Sequence, residues 1–343
     1  MSNILHPLRR IAQACALCLP ALFLSACGGG GGGDSSTSGS TSGSTSTAPA
    51  VAITSTNAKA VAANAVEVTA DGEYATGASA LVLGAQVDSG AEVGAVRLAS
   101  IARRMVTLTP AAPSLATGVA IDQSTACPSG GTLSISGNVS DSGTGISAGD
   151  TVTYTAAGCK MDPYSTLNGK MTITFHTDLS AASTFPFRMS MSFTIENFTV
   201  SDSSGSETIN GDMRMDVSAS SSTSETITVS GAALTSGNSK LFNYSVSVSE
   251  SGGVTTQTVS GTVETTSSHL GGSAVSYQVS TLTPMTYTAS GVTGGVVKVT
   301  GNGSALLITV TALNSFKLEV DANGDGTYEA TLTTTRTELE ALL

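Results

Sequence analysis

The chain has no tryptophan, and phenylalanine and tyrosine together bring its aromatic content to only 4% of 343 residues. A β-barrel that crosses a membrane carries aromatic girdles at both interfaces, so a paucity of aromatics argues against that use of β-structure. Basic residues are also few. Fourteen Lys and Arg stand against 25 Asp and Glu, for a formal charge of −11 and a pI near 4.6. Such a chain is repelled by nucleic acid and by anionic headgroups, which disfavours both as electrostatic partners. Histidine is scarcer still, at three residues. Beyond residue 26 there is no CxxC and the only histidines are His176 and His269, so a zinc site lacks ligands there. The chain also lacks a long apolar run. The stretch from Ile11 to Leu24 is interrupted by Gln13 and Pro20, too short and too broken to span a bilayer.

That stretch instead suits the apolar region of an export signal, preceded by Arg9 and Arg10. It ends in Leu24-Ser25-Ala26-Cys27, with Gly28 next. This resembles the lipobox of bacterial lipoproteins, and the chain is similar in layout to proteobacterial outer-membrane lipoproteins with a β-rich body. The resemblance covers the first thirty or so residues. It implies cleavage before Cys27, a diacylglyceryl group on the Cys27 thiol and a membrane anchor made of lipid. Each buried methylene contributes about 0.8 kcal/mol, so two or three acyl chains hold firmly. In that family an aspartate after the cysteine retains the protein in the inner membrane. Gly28 at that position implies the outer membrane, facing the periplasm or the cell surface. Loss of Arg9 and Arg10 with the signal would take the formal charge from −11 to −13.

A run of glycines from Gly28 to Gly33 opens a Ser/Thr/Gly segment that extends to about Thr47. No strand precedes it and no lysine appears before Lys59, so it does not read as a phosphate loop. It reads as a flexible tether, spanning about 25 Å for a coil of ~20 residues. The layout is therefore a signal over 1–26, a lipidated Cys27 and tether over 27–50, an Ala-rich region over 51–125 and a β-domain over 126–343. Of the five cysteines, Cys15 and Cys18 leave with the signal and Cys27 takes lipid. Cys127 and Cys159 remain as an even pair in an exported chain, which points to a disulfide.

Within the Ala-rich region, Thr56 is positioned to cap a helix in which Val61, Ala62, Ala65 and Val66 share a face. A second helix is expected over Ala91 to Met105, with Val93, Val96 and Ile101 on one side and Arg97, Arg103 and Arg104 nearer the edge. From Cys127 the pattern changes to period two. Met171, Ile173 and Phe175 alternate with polar residues, as do Phe185, Phe187, Met189, Met191, Phe193 and Ile195. After Glu196 the phase slips to Phe198 and Val200, as a bulge requires. Further strands are expected around Met213-Met215-Val217, Phe242-Tyr244-Val246-Val248, Val297-Val299, Phe316-Leu318-Val320 and Tyr328-Ala330-Leu332, with turns such as Asn210-Gly211 and Gly252-Gly253. The fold class is mainly β: a large, curved antiparallel meander of about a dozen strands, a half-barrel, barrel or sandwich, with a small helical N-terminal region.

Four patterns bear on chemistry. Asp321-Ala322-Asn323-Gly324-Asp325-Gly326 matches the first half of an EF-hand loop, so Asp321, Asn323 and Asp325 are candidate calcium ligands. The twelfth position is Leu332 rather than Glu, and the competing reading is a hairpin turn between Phe316–Asp321 and Thr327–Thr333. Gly145-Ile146-Ser147-Ala148-Gly149 satisfies GxSxG, but in a loop that leads into a strand rather than a helix. Asp88-Ser89-Gly90 and Asp141-Ser142-Gly143 echo aspartic proteases without apolar strands around them. Met171, Met189, Met191, Met213 and Met215 fall on apolar strand faces, where they would either fill a core or line an adaptable face for an apolar ligand. No catalytic residue is assigned. The expectation is a non-enzymatic, membrane-anchored binding or envelope-structural module, with no cofactor apart from possible calcium. Its expected partners are the membrane through Cys27 and an apolar ligand or envelope protein. The alternative is a carrier or receptor for lipid or another apolar ligand, and a hydrolase ranks last.

Overall fold

A computed structural model describes residues 45–70, 95–108, 119–140, 146–178, 185–202, 205–288 and 290–343. Cys27, its flanking signal and glycine run, and the two Asp-Ser-Gly segments lie outside the described residues.

Fourteen strands form one antiparallel sheet in strict sequence order. They are β1 (Val119–Ala126), β2 (Thr132–Val139), β3 (Thr151–Cys159), β4 (Thr166–Phe175), β5 (Phe187–Asp202), β6 (Gly205–Ser221) and β7 (Ser224–Ser236). There follow β8 (Ser239–Ser251), β9 (Val254–Thr265), β10 (Val275–Thr288), β11 (Gly291–Gly301), β12 (Ser304–Ala312), β13 (Ser315–Asp321) and β14 (Ala330–Thr335). Each pairs only with its neighbours in sequence, so β1 and β14 are the two edges of an unclosed meander. The expected mainly-β fold with a large antiparallel meander is the fold observed. Alternation sets which face is inside. In β6, for example, Ile209, Met213, Met215, Val217 and Ala219 are buried, while Arg214 and Ser218 between them are exposed.

The bulge anticipated in β5 is present. Ile195 pairs with Gly211 and Phe198 with Ile209, leaving Glu196 and Asn197 opposite Asn210. Asn197 takes a positive φ of 48° there, and its N–H donates to the Asn210 side chain at 2.7 Å. Asn210-Gly211 is consequently inside β6 and is not a turn, contrary to its sequence signature. It sits opposite the bulge, where the kink demands permissive backbone. Gly252-Gly253 is the β8–β9 turn as expected, with φ of 60° and 79°, the two positive values that a tight hairpin requires.

The helices also contribute to the core. Helix α1 runs Ala58–Ala70, and Thr56 is not its cap: the first turn begins after Asn57, whose carbonyl accepts from Val61. The alanines that make α1 a thin helix by sequence let it lie close, with Ala58, Ala62, Ala63 and Ala65 buried against a surface that includes β9, β12 and β13. Helix α2 is Ala95–Thr107, covers the expected stretch from Ala95 to Met105, and packs on β7. Val93 lies outside the described residues. The arginines of α2 do not sit at an edge. Arg97 and Arg103 are buried, paired with Asp202 at the end of β5 (3.1 Å) and Glu225 in β7 (2.6 Å). Arg104 reaches Asp162 at 3.1 Å and donates to the Met161 carbonyl. A short helix, α3 (Arg336–Glu340), closes the chain after β14 with a capping box from Thr335 and Glu338.

Because successive hairpins of a meander alternate in direction, the sheet has two rims. Turns that follow odd-numbered strands lie at one rim and turns that follow even-numbered strands at the other. The described chain begins at the first. Ser46 donates to Glu264 (2.8 Å), Ser276 donates its N–H to Pro49 and accepts from Val51 (both 2.9 Å), and Ile53 donates to the Ser304 hydroxyl (2.8 Å). These partners are the end of β9 and the starts of β10 and β12. Gly301 must be glycine for this strap to pass, since a Cβ there would overlap the Val51 carbonyl. The Cys127–Cys159 disulfide is at the same rim, joining the β1–β2 turn to the end of β3 with Cα atoms 5.5 Å apart.

Candidate functional site

The Asp321 loop also lies at the entry rim, where Gly324 approaches the Gly303 carbonyl of the β11–β12 turn. It is longer than a hairpin turn. Strand pairing resumes only at Ala330 opposite Val320, so eight residues, 322–329, make the connection, and Tyr328 belongs to the loop rather than to a strand. Local hydrogen bonds shape it. The buried Asp321 carboxylate accepts from Gly324 (2.6 Å) and Gly326 (2.9 Å). The Asn323 side chain accepts from Asp325, and the Asp325 carboxylate from Thr327 at 2.7 Å. That bond from Thr327 holds the exposed Asp325 below the usual carboxylate range.

The loop brings together two of the three expected ligands and one that the sequence reading missed. Carboxylate oxygens of Asp321, Asp325 and Glu329 lie within 4.8 Å of one another. Asn323 sits beside them, its side-chain nitrogen 3.1 Å from Asp325. Glu329 is ninth counting from Asp321, a position that contributes to EF-type loops, often through water. That ninth-position spacing is the signal present in the sequence, although the twelfth position is Leu332. Glu329 folds back because its carboxylate accepts from the Ala322 N–H (3.0 Å). A hard cation with oxygen ligands is what such a donor set suits.

The other patterns separate. Ser147 is in the β2–β3 connection at the far rim, with its backbone N–H on Asp150 (2.7 Å). Asp150 is buried and also takes both the N–H and hydroxyl of Ser140, so it is a loop clamp. Gly145 lies outside the described residues. His176 follows β4 at the far rim and meets Ser192 at 2.7 Å, whereas exposed His269 is in the β9–β10 connection at the entry rim. Histidines on opposite rims do not converge on one serine. The five methionines are all inside: Met171, Met191 and Met215 are fully buried, Met189 and Met213 nearly so, in one core that includes residues of both helices. Met191 pairs with Met215 across β5–β6 and with Phe175 across β4–β5.

No protein-family model, characterised protein or solved structure matches the chain. Among the described residues no helix is long and apolar enough to cross a membrane.

Proposed function

We propose that the chain is a lipid-anchored, non-enzymatic module of the bacterial cell envelope, whose disulfide-braced β-body serves binding or envelope structure. The observation that carries this reading is the packing of the sheet's inner face. Met171, Met189, Met191, Met213 and Met215 are core residues here, under 10% exposed and continuous with Phe175, Phe193 and Leu98. A carrier of acyl chains needs an apolar face open to its cargo, whereas a packed core suits a rigid body that works through its surface. The strap at one rim gives a tether a fixed point of departure, and the lipobox-like Leu24-Ser25-Ala26-Cys27 supplies the lipid. A Cys27→Ser chain is expected in the soluble fraction after export, with no incorporation of labelled palmitate. Membrane retention of that variant would overturn the anchor.

A second reading attaches to the Asp321 loop, on the three carboxylates gathered there. Calcium held by Asp321, Asp325 and Glu329 would brace the β13–β14 connection, supplying charge neutralisation and no catalysis. Calcium is expected to raise Tm after chelator treatment, and Asp325→Asn to abolish the rise. An identical melting curve in chelator and in calcium leaves the loop as a self-sufficient turn.

A further inference from the structure

An unclosed meander leaves two strands with one partner each, β1 and β14. Strand β14 has six residues and runs straight into α3. Strand β1 is longer, at eight residues, and pairs with β2 without a register shift from Val119↔Val139 to Ala126↔Thr132. Among the described residues no strand is hydrogen-bonded to its other edge. Edge strands of proteins that stay single are blunted by lysine, proline, a bulge or a covering element. The sequence of β1 has no lysine, arginine or proline, its pairing has no bulge, and Asp122 is its one charge. Ala120, Asp122, Gln123, Ser124 and Ala126 are all exposed. The strand is also held firmly. Cys127, the next residue, is bonded to Cys159, and around it Ser129 donates to Lys160 (2.9 Å) and Lys160 to Gly130 (2.8 Å). A strand fixed in shape before it meets a partner loses little further freedom on pairing.

The partner that β1 fits can be read from its own register. Ile121, Gln123 and Thr125 lie on the inner face, since Gln123 stands opposite buried Ile135 and Thr125 opposite buried Leu133. Ala120, Asp122, Ser124 and Ala126 lie on the outer face. Antiparallel pairing of β1 with another β1 must set inner residues against inner ones, which requires a residue, not a gap, at its centre. Centring on Asp122 opposes two like charges, which is destabilising. Centring on Ser124 leaves five residues paired before the strand ends. Centring on Gln123 pairs seven, with Ala120 against Ala126, Ile121 against Thr125 and Asp122 against Ser124. The two Gln123 amides then face each other, each able to donate and accept. We propose that β1 is a dimerisation edge, joining a second copy of this chain in a continuous sheet about a two-fold axis at Gln123. Such an isologous contact closes on itself and stops at two copies. The inference goes beyond the binding-module reading and stands without the lipid on Cys27.

The test is native mass spectrometry of the full-length protein over a dilution series, with detergent micelles in excess over protein. A concentration-dependent dimer is expected. Gln123→Lys and Gln123→Glu each put like charges directly opposite and should weaken the dimer about fivefold. Mixed together, the two variants should form heterodimers, resolved by mass, at least as tight as the parent dimer. Gln123 is exposed, so both variants should melt as the parent does. A parent that is monomeric throughout the series overturns the proposal and leaves β1 to a strand of some other protein. A dimer that neither variant weakens overturns it as well, and so do variants that dissociate but fail to recombine when mixed. None of these failures bears on the Cys27 fractionation result, so the anchor and the edge are judged separately.

Discussion

Arg103 and Glu225 illustrate how a chain with few charges spends them. Both are nearly dry, 9% and 6% exposed at the side chain, and they meet at 2.6 Å. Burial pushes the Glu225 carboxyl up, and the guanidinium of Arg103 only partly offsets this, with Glu250 directly opposite on β8 adding repulsion. Taking two ions out of water costs several kcal/mol each, so such a pair contributes little to net stability but is expensive to break. Arg103→Ala is therefore expected to destabilise by about 3–5 kcal/mol in denaturant melts, because it strands a buried carboxylate. The double variant Arg103→Met with Glu225→Gln should recover most of that loss. A double variant as unstable as Arg103→Ala would mean that the pair itself, rather than the stranded charge, holds α2 to the sheet.

At the level of elements, the bulge in β5 shows how a sequence slip becomes geometry. The inserted residue turns Asn197 into positive φ, and its carbonyl is pushed toward β4, where Gly169 sits at φ 102°. A Cβ on Gly169 would overlap the Asn197 carbonyl, so the neighbour strand must carry glycine there. Gly169→Ala is expected to cost more than the roughly 1 kcal/mol of an ordinary unfavourable glycine replacement. Thr172→Ala, three residues along the same strand on the outer face, should cost less than half as much in the same denaturant titration. Equal losses would show that the bulge yields. The slip itself was legible, since the apolar phase changes after Glu196. Its consequence on the next strand was not: Asn210-Gly211 carries turn residues for the same reason of backbone freedom, and periodicity alone cannot tell a turn from the partner of a bulge. Strand direction, and strand number to within a couple, were legible because one face is apolar along most strands. The pairings of Arg97 and Arg103 were not, because their acids, Asp202 and Glu225, are more than a hundred residues away. Glu329 was overlooked because its role depends on a loop closing upon itself, while Asp321 and Asp325 are marked by local spacing.

For the whole molecule, the decisive arrangement is what gathers at one rim: the strap, the disulfide and the acidic loop. The strap ties the first described residues to this rim, and Glu264 is its titratable fastening. The Lys240 ammonium at 2.7 Å is the main reason that its carboxyl is held below the usual glutamate range, helped by Ser46 and opposed by partial burial. A carboxyl with a depressed folded-state pKa contributes stability above its unfolded value and loses it as pH falls through the folded value. Hydrogen-exchange protection of Val51 and Asn302, the amides that tie the strap to β10 and to the β11–β12 turn, should thus be constant from neutral pH to the ordinary glutamate range and fall below it. Glu264→Gln should give reduced protection already at neutral pH, with a weaker dependence on acid. The core amides of β5 and β6 should keep their protection over the same interval, because Glu264 makes no bond to them. If strap and core lost protection together, acid would be unfolding the body as one unit, and the strap would not be a separately releasable element of the fold.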